Sequence, residues 1–162
     1  RQRQMCIRDR LTATLAEVGD IADVPQAAAD YFAEHGLAHR AAIAPALASL
    51  DWTGTEITTA IDANQEVSIT LADGGIAETG SLIFRSSPDT PMLHNYLGLH
   101  HIAVLRRESV ARYLEEAFAG AEDDAMPRIL SLVTGTSGTA DIEAVNIRGA
   151  HGPRYLHIVV VG

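Results

Sequence analysis

The chain has 162 residues, 47% of them hydrophobic, with 12 basic and 21 acidic side chains and a net charge of −9, which suits one domain burying roughly 70% of its unfolded surface. No apolar run approaches the roughly 20 residues that span a bilayer, and lysine is absent, which argues against a phosphate-backbone partner. Its one cysteine, Cys6, cannot supply the thiolate set of a zinc or iron–sulfur site.

Residues 1–10, RQRQMCIRDR, hold four of the arginines without apolar periodicity. MCIRDR reads as a translated sequencing-adapter stretch, so the segment is set aside as non-native, residues 11–162 are assigned to one domain, and the domain is expected to be amino-terminally truncated. Leu11 to Val18 is expected to form a short helix. Asp23, Pro25 at the first helical position and Gly36 as a left-handed cap predict a helix between them, with Ala27, Ala28, Tyr31 and Phe32 on its apolar face.

Arg40 to Pro45 reads as a short buried strand. Glu56 to Ile61 and Val67 to Leu71 are β-branched-rich strands separated by the polar turn Asp62 to Gln65. A compact turn from Asp73 to Thr79 then leads into the strand Gly80 to Arg85, and a surface loop, Ser86 to Pro91, precedes the strand Leu99 to Leu105. Ser109 is expected to cap a helix VARYLEEAFAG, with Val110, Tyr113, Leu114, Ala117 and Phe118 on one side and Gly120 at its end. The strand RILSLVT, a glycine-rich turn, a short helix and the strand YLHIVVV complete the chain. Apolar strands alternating with helices predict an α/β fold with a mostly parallel sheet covered on both faces.

Three loops carry candidate chemistry. In IAETGS, Glu78, Thr79 and Gly80 lie between two strands, where a carboxylate can meet a ligand crevice; Glu78 can equally accept backbone hydrogen bonds within a tight turn. In TGTSGTADIE, residues Gly135, Thr136, Ser137, Gly138, Thr139 and Asp141 follow a strand and are expected to open a helix whose N–H groups receive an anion. The competing reading makes Thr139 a helix cap, with Asp141 in the first turn complementing the dipole. In GAHGPR, His151 can exchange a proton near neutrality and Arg154 can grip a carboxylate or phosphate; a turn braced by His151 is the alternative.

Adjacent His100 and His101 point to opposite faces of a strand, and Gly36 interrupts the spacing of His35 and His39, so no metal site is expected. No GxSxG nucleophile elbow is present.

Together, IAETGSLIF, HHIAVL and GTSGTADIEAVNIRGAHGPRYLHIVVVG resemble the lactate-utilisation (LUD) domain family in order and spacing. The resemblance implies a three-layer α/β sandwich like that of the NagB/RpiA/CoA-transferase superfamily, with sites at the carboxyl ends of the strands. It further implies a cytoplasmic, cluster-free subunit of a complex oxidising L-lactate to pyruvate. In such a complex an iron–sulfur LUD-family subunit and a cysteine-rich protein are the partners, with the clusters on a partner subunit; this chain is expected to bind no cofactor and to meet a small anionic substrate. Two other classes stay open: an independent CoA-transferase or sugar-phosphate isomerase-like enzyme, with Glu78 as the nucleophile of the former, and a non-catalytic docking module.

Overall fold

The computed structural model describes residues 13–119, 127–140 and 146–162. Its frame is a six-stranded, wholly parallel sheet made of β1 (Thr14–Val18), β2 (Arg40–Ile43), β3 (Glu56–Thr58), β4 (Val67–Leu71), β7 (His100–Arg106) and β12 (Tyr155–Val161), in the order β1-β12-β7-β4-β2-β3. The central strands are buried and largely apolar because both faces are covered. Ile102 and Val104 of β7 join one buried cluster, whereas Ala103 and Leu105 join another, as period-2 alternation requires.

The first face is covered by α1 (Val24–His35), whose Val24, Pro25, Ala28, Tyr31 and Phe32 are buried as the apolar spacing predicts. Pro25 enters its first turn, and Gly36 closes it in the left-handed conformation with φ of 64°. The second face is covered by a four-stranded sheet, ordered β8 (Val110–Ala111), β5 (Gly74–Ile76), β6 (Ser81–Arg85) and β9 (Leu130–Val133). Its Leu82 and Phe84 pack with Leu105, Ile158 and Val160. The molecule is thus an α/β sandwich of three layers whose third layer, among the described residues, is a sheet.

Four local expectations are corrected by long-range pairing. Leu11 to Val18 contains a strand rather than a helix: β1 lies parallel to β12, Thr14 opposite His157 through Val18 opposite Val161, and eight residues are too few to hold a helix without tertiary support. The supposed turn Asp73 to Thr79 contains β5, because a Cβ on Gly75 would come within 3.2 Å of Leu105 and one on Gly74 within 2.9 Å of the Ser109 carbonyl, so glycines let this strand press against its neighbours.

The helix expected after Ser109 shrinks to α2 (Leu114–Ala117). Val110 and Ala111 instead pair with Gly75 and Ile76, and the Ser109 hydroxyl donates to the Arg106 carbonyl at 2.8 Å instead of capping. The expected end at Gly120 lies outside the described residues. Finally, Gly138 to Ala140 is a strand, β10, antiparallel to β11 (Asn146–Arg148), so the segment after Ser137 does not open a helix and Thr139 is not a helix cap. Asp141 lies outside the described residues.

Candidate functional site

The first loop leaves β5 and turns back into β6. Its backbone is tied to the segment around β8: the Ala77 N–H donates to the Ala111 carbonyl at 2.9 Å and the Glu78 N–H to the Arg112 carbonyl at 3.1 Å. Glu78 and Thr79 are exposed, and Gly80 is buried with φ of 70°. From here three hydroxyls form a chain. Thr79 Oγ1 lies 2.7 Å from Ser81 Oγ, which lies 2.6 Å from Thr134 Oγ1 at the start of the second loop.

The second and third loops are joined directly. The Ser137 N–H donates to the Pro153 carbonyl at 2.9 Å, and the Gly149 N–H donates to the Ser137 carbonyl at 3.0 Å. Gly152 packs so closely that a Cβ there would stand 3.3 Å from the Ser137 Cβ. This joint consumes the Ser137 N–H that the sequence offers to an anion, and with a strand following, no helix dipole stands behind the loop. Gly135, with φ of 91°, and Thr136 shape the bend between Thr134 and Ser137, and Gly138 is already opposite Arg148 in the β10–β11 ladder.

The third loop feeds β12 and is anchored to the residue preceding β7. The N–H groups of Arg154 and Tyr155 both reach the Leu99 carbonyl, at 2.9 and 3.1 Å. Arg154 is exposed, and its guanidinium lies 5.6 Å from the centroid of the Tyr155 ring. His151 borders an open cleft of about 630 Å³ together with Asn64, Gln65, Glu66, Tyr96 and Leu99. Because these segments lead into β4, β7 and β12, the cleft lies at the amino ends of the parallel strands, not at the carboxyl ends that the resemblance implies. The first loop, in contrast, follows the carboxyl end of β4 by way of β5.

The three loops are therefore linked in series, and the cleft beside His151 takes its carboxylate from Glu66; Glu78 does not line it. In the sequence Asn64, Gln65 and Glu66 stand only as the end of a polar turn and the residue after it. Their signal was present but nonlocal: a polar turn feeding a parallel strand sits beside every other loop that feeds the sheet from the same end.

Gly149 makes a sharp test of the third loop. It has φ of 82°, and an added Cβ would meet the Arg154 Cβ at 2.8 Å. We expect Gly149→Ala to lower stability by about 1–3 kcal/mol through backbone strain and collision, read as a fall in the urea midpoint. An unchanged midpoint would show that the loop is not held as described.

Beneath the cleft lie two sets of histidines on opposite faces of the sheet. On the helix side, the Tyr31 hydroxyl is 2.9 Å from His100 Nδ1, and the His100 ring stacks on Tyr155 at 4.4 Å. His157 Nδ1 is 2.7 Å from the Thr14 hydroxyl. On the other side, His101 Nε2 is 2.7 Å from the Thr70 hydroxyl, and its ring is 5.8 Å from Phe84.

Burial, aided by neighbouring His94, pushes the His101 imidazole down to about 3, and burial, with His35, takes His157 to about 4. Burial also lowers His100, with His35 adding to the effect and Glu66 opposing it. Tyr31 is pushed up to about 12 by burial, then by Glu34 and Tyr155. These rings are thus neutral at pH 7 and serve as hydrogen-bonding spacers. Among the described residues no three His, Cys, Asp or Glu side chains are grouped to hold a metal ion, and no helix is long and apolar enough to cross a membrane.

Comparison with known proteins agrees with this architecture. The family model described as the LUD domain matches residues 15–161. An uncharacterised protein of Neisseria meningitidis serogroup B is 33% identical over 137 residues, covering 79% of this chain and 57% of that protein. Lactate utilization protein C of Deinococcus radiodurans is 36% identical over 93 residues, 54% of this chain and 42% of its own length. Lactate utilization protein C of Geobacillus thermodenitrificans is 28% identical over 140 residues, 80% of this chain and 58% of its own. The chain thus spans about half the length of these curated relatives. Its fold is shared with the crystal structure of a DUF162-family protein from Deinococcus radiodurans, at a TM-score of 0.72 and 24% identity over 99% of this chain and 97% of that one.

Proposed function

The chain belongs to the LUD domain family, and on that premise we propose that it works in lactate utilisation, as the member of an L-lactate-oxidising assembly that holds no iron–sulfur cluster itself. What supports the reading is the family match together with relatives that carry the name lactate utilization protein C. The donor chemistry agrees with the division of labour: clusters are held by several thiolates, and this chain has a single cysteine. Clusters therefore do not fit its residues, and they belong to a cysteine-bearing partner.

Oxidation of L-lactate to pyruvate removes two electrons and two protons. In this proposal both electrons leave for the cluster-bearing subunit and both protons, from the hydroxyl and from the carbinol carbon, leave to bases and solvent; residues of this chain hold the carboxylate and take up the hydroxyl proton. Arg154 is the cation for the carboxylate, since it is exposed next to the cleft-bordering turn. His151, at the cleft, is the candidate base for that proton; Glu78 is exposed on the first loop, outside the cleft, and is the candidate base only if the substrate sits against that loop instead. Thr79, Gly80, Gly135, Thr136, Ser137, Gly138 and Thr139 form the scaffold that bears them, and Asp141 extends it in the sequence.

The observation that carries the site assignment is the set of backbone hydrogen bonds around the turn bearing His151: Ser137–Pro153 and Gly149–Ser137 brace it against the second loop, and the Arg154 and Tyr155 N–H groups on the Leu99 carbonyl, with the Leu99 N–H on the Gln65 carbonyl, set it beside the Asn64–Glu66 segment. The test is lactate-dependent growth of a strain deleted for the gene and complemented with full-length versions. We expect His151→Ala to slow lactate oxidation by about 100-fold, the lower end of general acid–base effects, and Arg154→Met to lower it at least about tenfold through loss of a charged hydrogen-bond partner, each with normal protein levels. If His151→Ala and Glu78→Gln both sustain wild-type growth, the site assignment fails; if the deletion itself grows normally on lactate, the pathway assignment fails.

A further inference from the structure

Away from the cleft, a second groove of about 500 Å³ runs between β1 and α1. One wall is Leu15 to Val18 of β1, and the other is the helix stripe Asp23, Ala27, Asp30 and Glu34, with Tyr31 and His157 at the floor. β1 is the terminal strand of the parallel sheet: one edge pairs with β12, and among the described residues no strand pairs with the other. Such an edge presents a row of open N–H and C=O groups, a template for a further strand.

Two properties limit what this groove can hold. Its strand wall, the four residues Leu15 to Val18 at about 3.3 Å each, gives about 13 Å, within the roughly 16 Å spanned by eleven helical steps at about 1.5 Å from Asp23 to Glu34. An extended segment of about four residues therefore fits along it. Its charge is one-sided: Glu17, Asp23, Asp30 and Glu34 line it and no arginine does. Arg107 reaches Glu17 from outside the groove, at 2.9 Å. Asp30 and Glu34 are one helical turn apart, about 6 Å, close to the roughly 6.6 Å between alternate side chains of a strand.

We infer that this groove is a docking site for a basic, extended segment of another polypeptide, which adds to β1 as a seventh strand of the sheet and sets alternate arginine or lysine side chains against Asp30 and Glu34. Backbone pairing supplies the attachment, and the carboxylates select the sequence. A second copy of this chain is the poorer occupant. Edge-to-edge pairing of two β1 strands would set Glu17 and the acidic helix stripes of two chains with net charge −9 against each other.

The probe is a fluorescent, end-blocked peptide of alternating arginine and valine, titrated into the whole chain at low and high salt. We expect saturable binding with slowed hydrogen exchange at the β1 amides. Affinity should fall at least tenfold for the Asp30→Asn/Glu34→Gln double variant, whose melting temperature checks that the fold is kept. It should fall comparably for the same peptide carrying N-methyl groups along one edge, which keeps the charge and removes the donors. The inference is overturned by failure to bind, by equal binding of the N-methylated peptide, by equal binding of a glutamate–valine peptide, or by sedimentation showing that β1 instead pairs two copies of the chain.

Discussion

Lowering the pH from 7 to 5 is expected to remove several kcal/mol of folding stability, before most carboxylates titrate. The cause is the pair of buried imidazoles. His101 is 0% and His157 is 7% exposed, with folded values of about 3 and about 4 against an ordinary value of 6.5. Above pH 6.5 these rings are neutral in both states, so their full contribution is present. As pH falls through the window from 6.5 towards 4 and 3, the unfolded chain takes up protons that the folded chain refuses, and stability drops. Each unit of difference is worth about 1.4 kcal/mol, so the two sites together reach roughly 5 kcal/mol by pH 4. That is comparable to the whole stability of an ordinary domain, about 5–15 kcal/mol.

Urea unfolding at pH 7, 6, 5 and 4.5 measures the slope directly. At pH 5 His101 and His157 alone should contribute nearly two more protons bound by the unfolded state, with His100 adding in the same direction, and His157→Phe should reduce the slope by nearly one. A flat profile across this range would mean that the imidazoles are hydrated in the folded protein.

Truncating Phe32 should be the most damaging single change on the helix side. The ring is 0% exposed and shares a buried cluster with Ile43, Ile69 and Val104 from three neighbouring strands. Phe32→Ala removes its apolar burial and leaves a cavity in a close-packed layer, at a cost of about 3–5 kcal/mol. The control is Leu114→Ala in α2, where the side chain is 41% exposed and a surface change costs at most about 0.5 kcal/mol. Urea midpoints for both variants at pH 7 test the difference. Equal, small effects would contradict the packing of α1 on the sheet.

The two helices show how far a local reading reaches. In α1, Asp23, Pro25, the apolar spacing and Gly36 all agree, and no strand competes for those residues. After Ser109 the spacing was equally helical, but Val110 and Ala111 had Gly75 and Ile76 to pair with. Thr14 to Val18 likewise became a strand because β12 was there to receive it. The candidate loops show the same division. Their residue types and order were readable, including the turns at Gly80 and Gly149. The amino-end cleft with Glu66 was not, since it joins segments more than eighty residues apart in the chain.

By itself, then, the order of residues was sufficient for the parallel α/β frame, the first helix, the absence of lysine and of a thiolate set, and the identity of the three loops. Each of these follows from interactions within a turn or a strand, or from composition alone. Tertiary structure decided which short segments became strands, which face each of His100 and His101 occupies, where the Ser137 N–H is spent and which acid meets His151. Those outcomes depend on pairing and burial between distant segments, whose energies exceed the few tenths of a kcal/mol by which local propensity separates helix from strand.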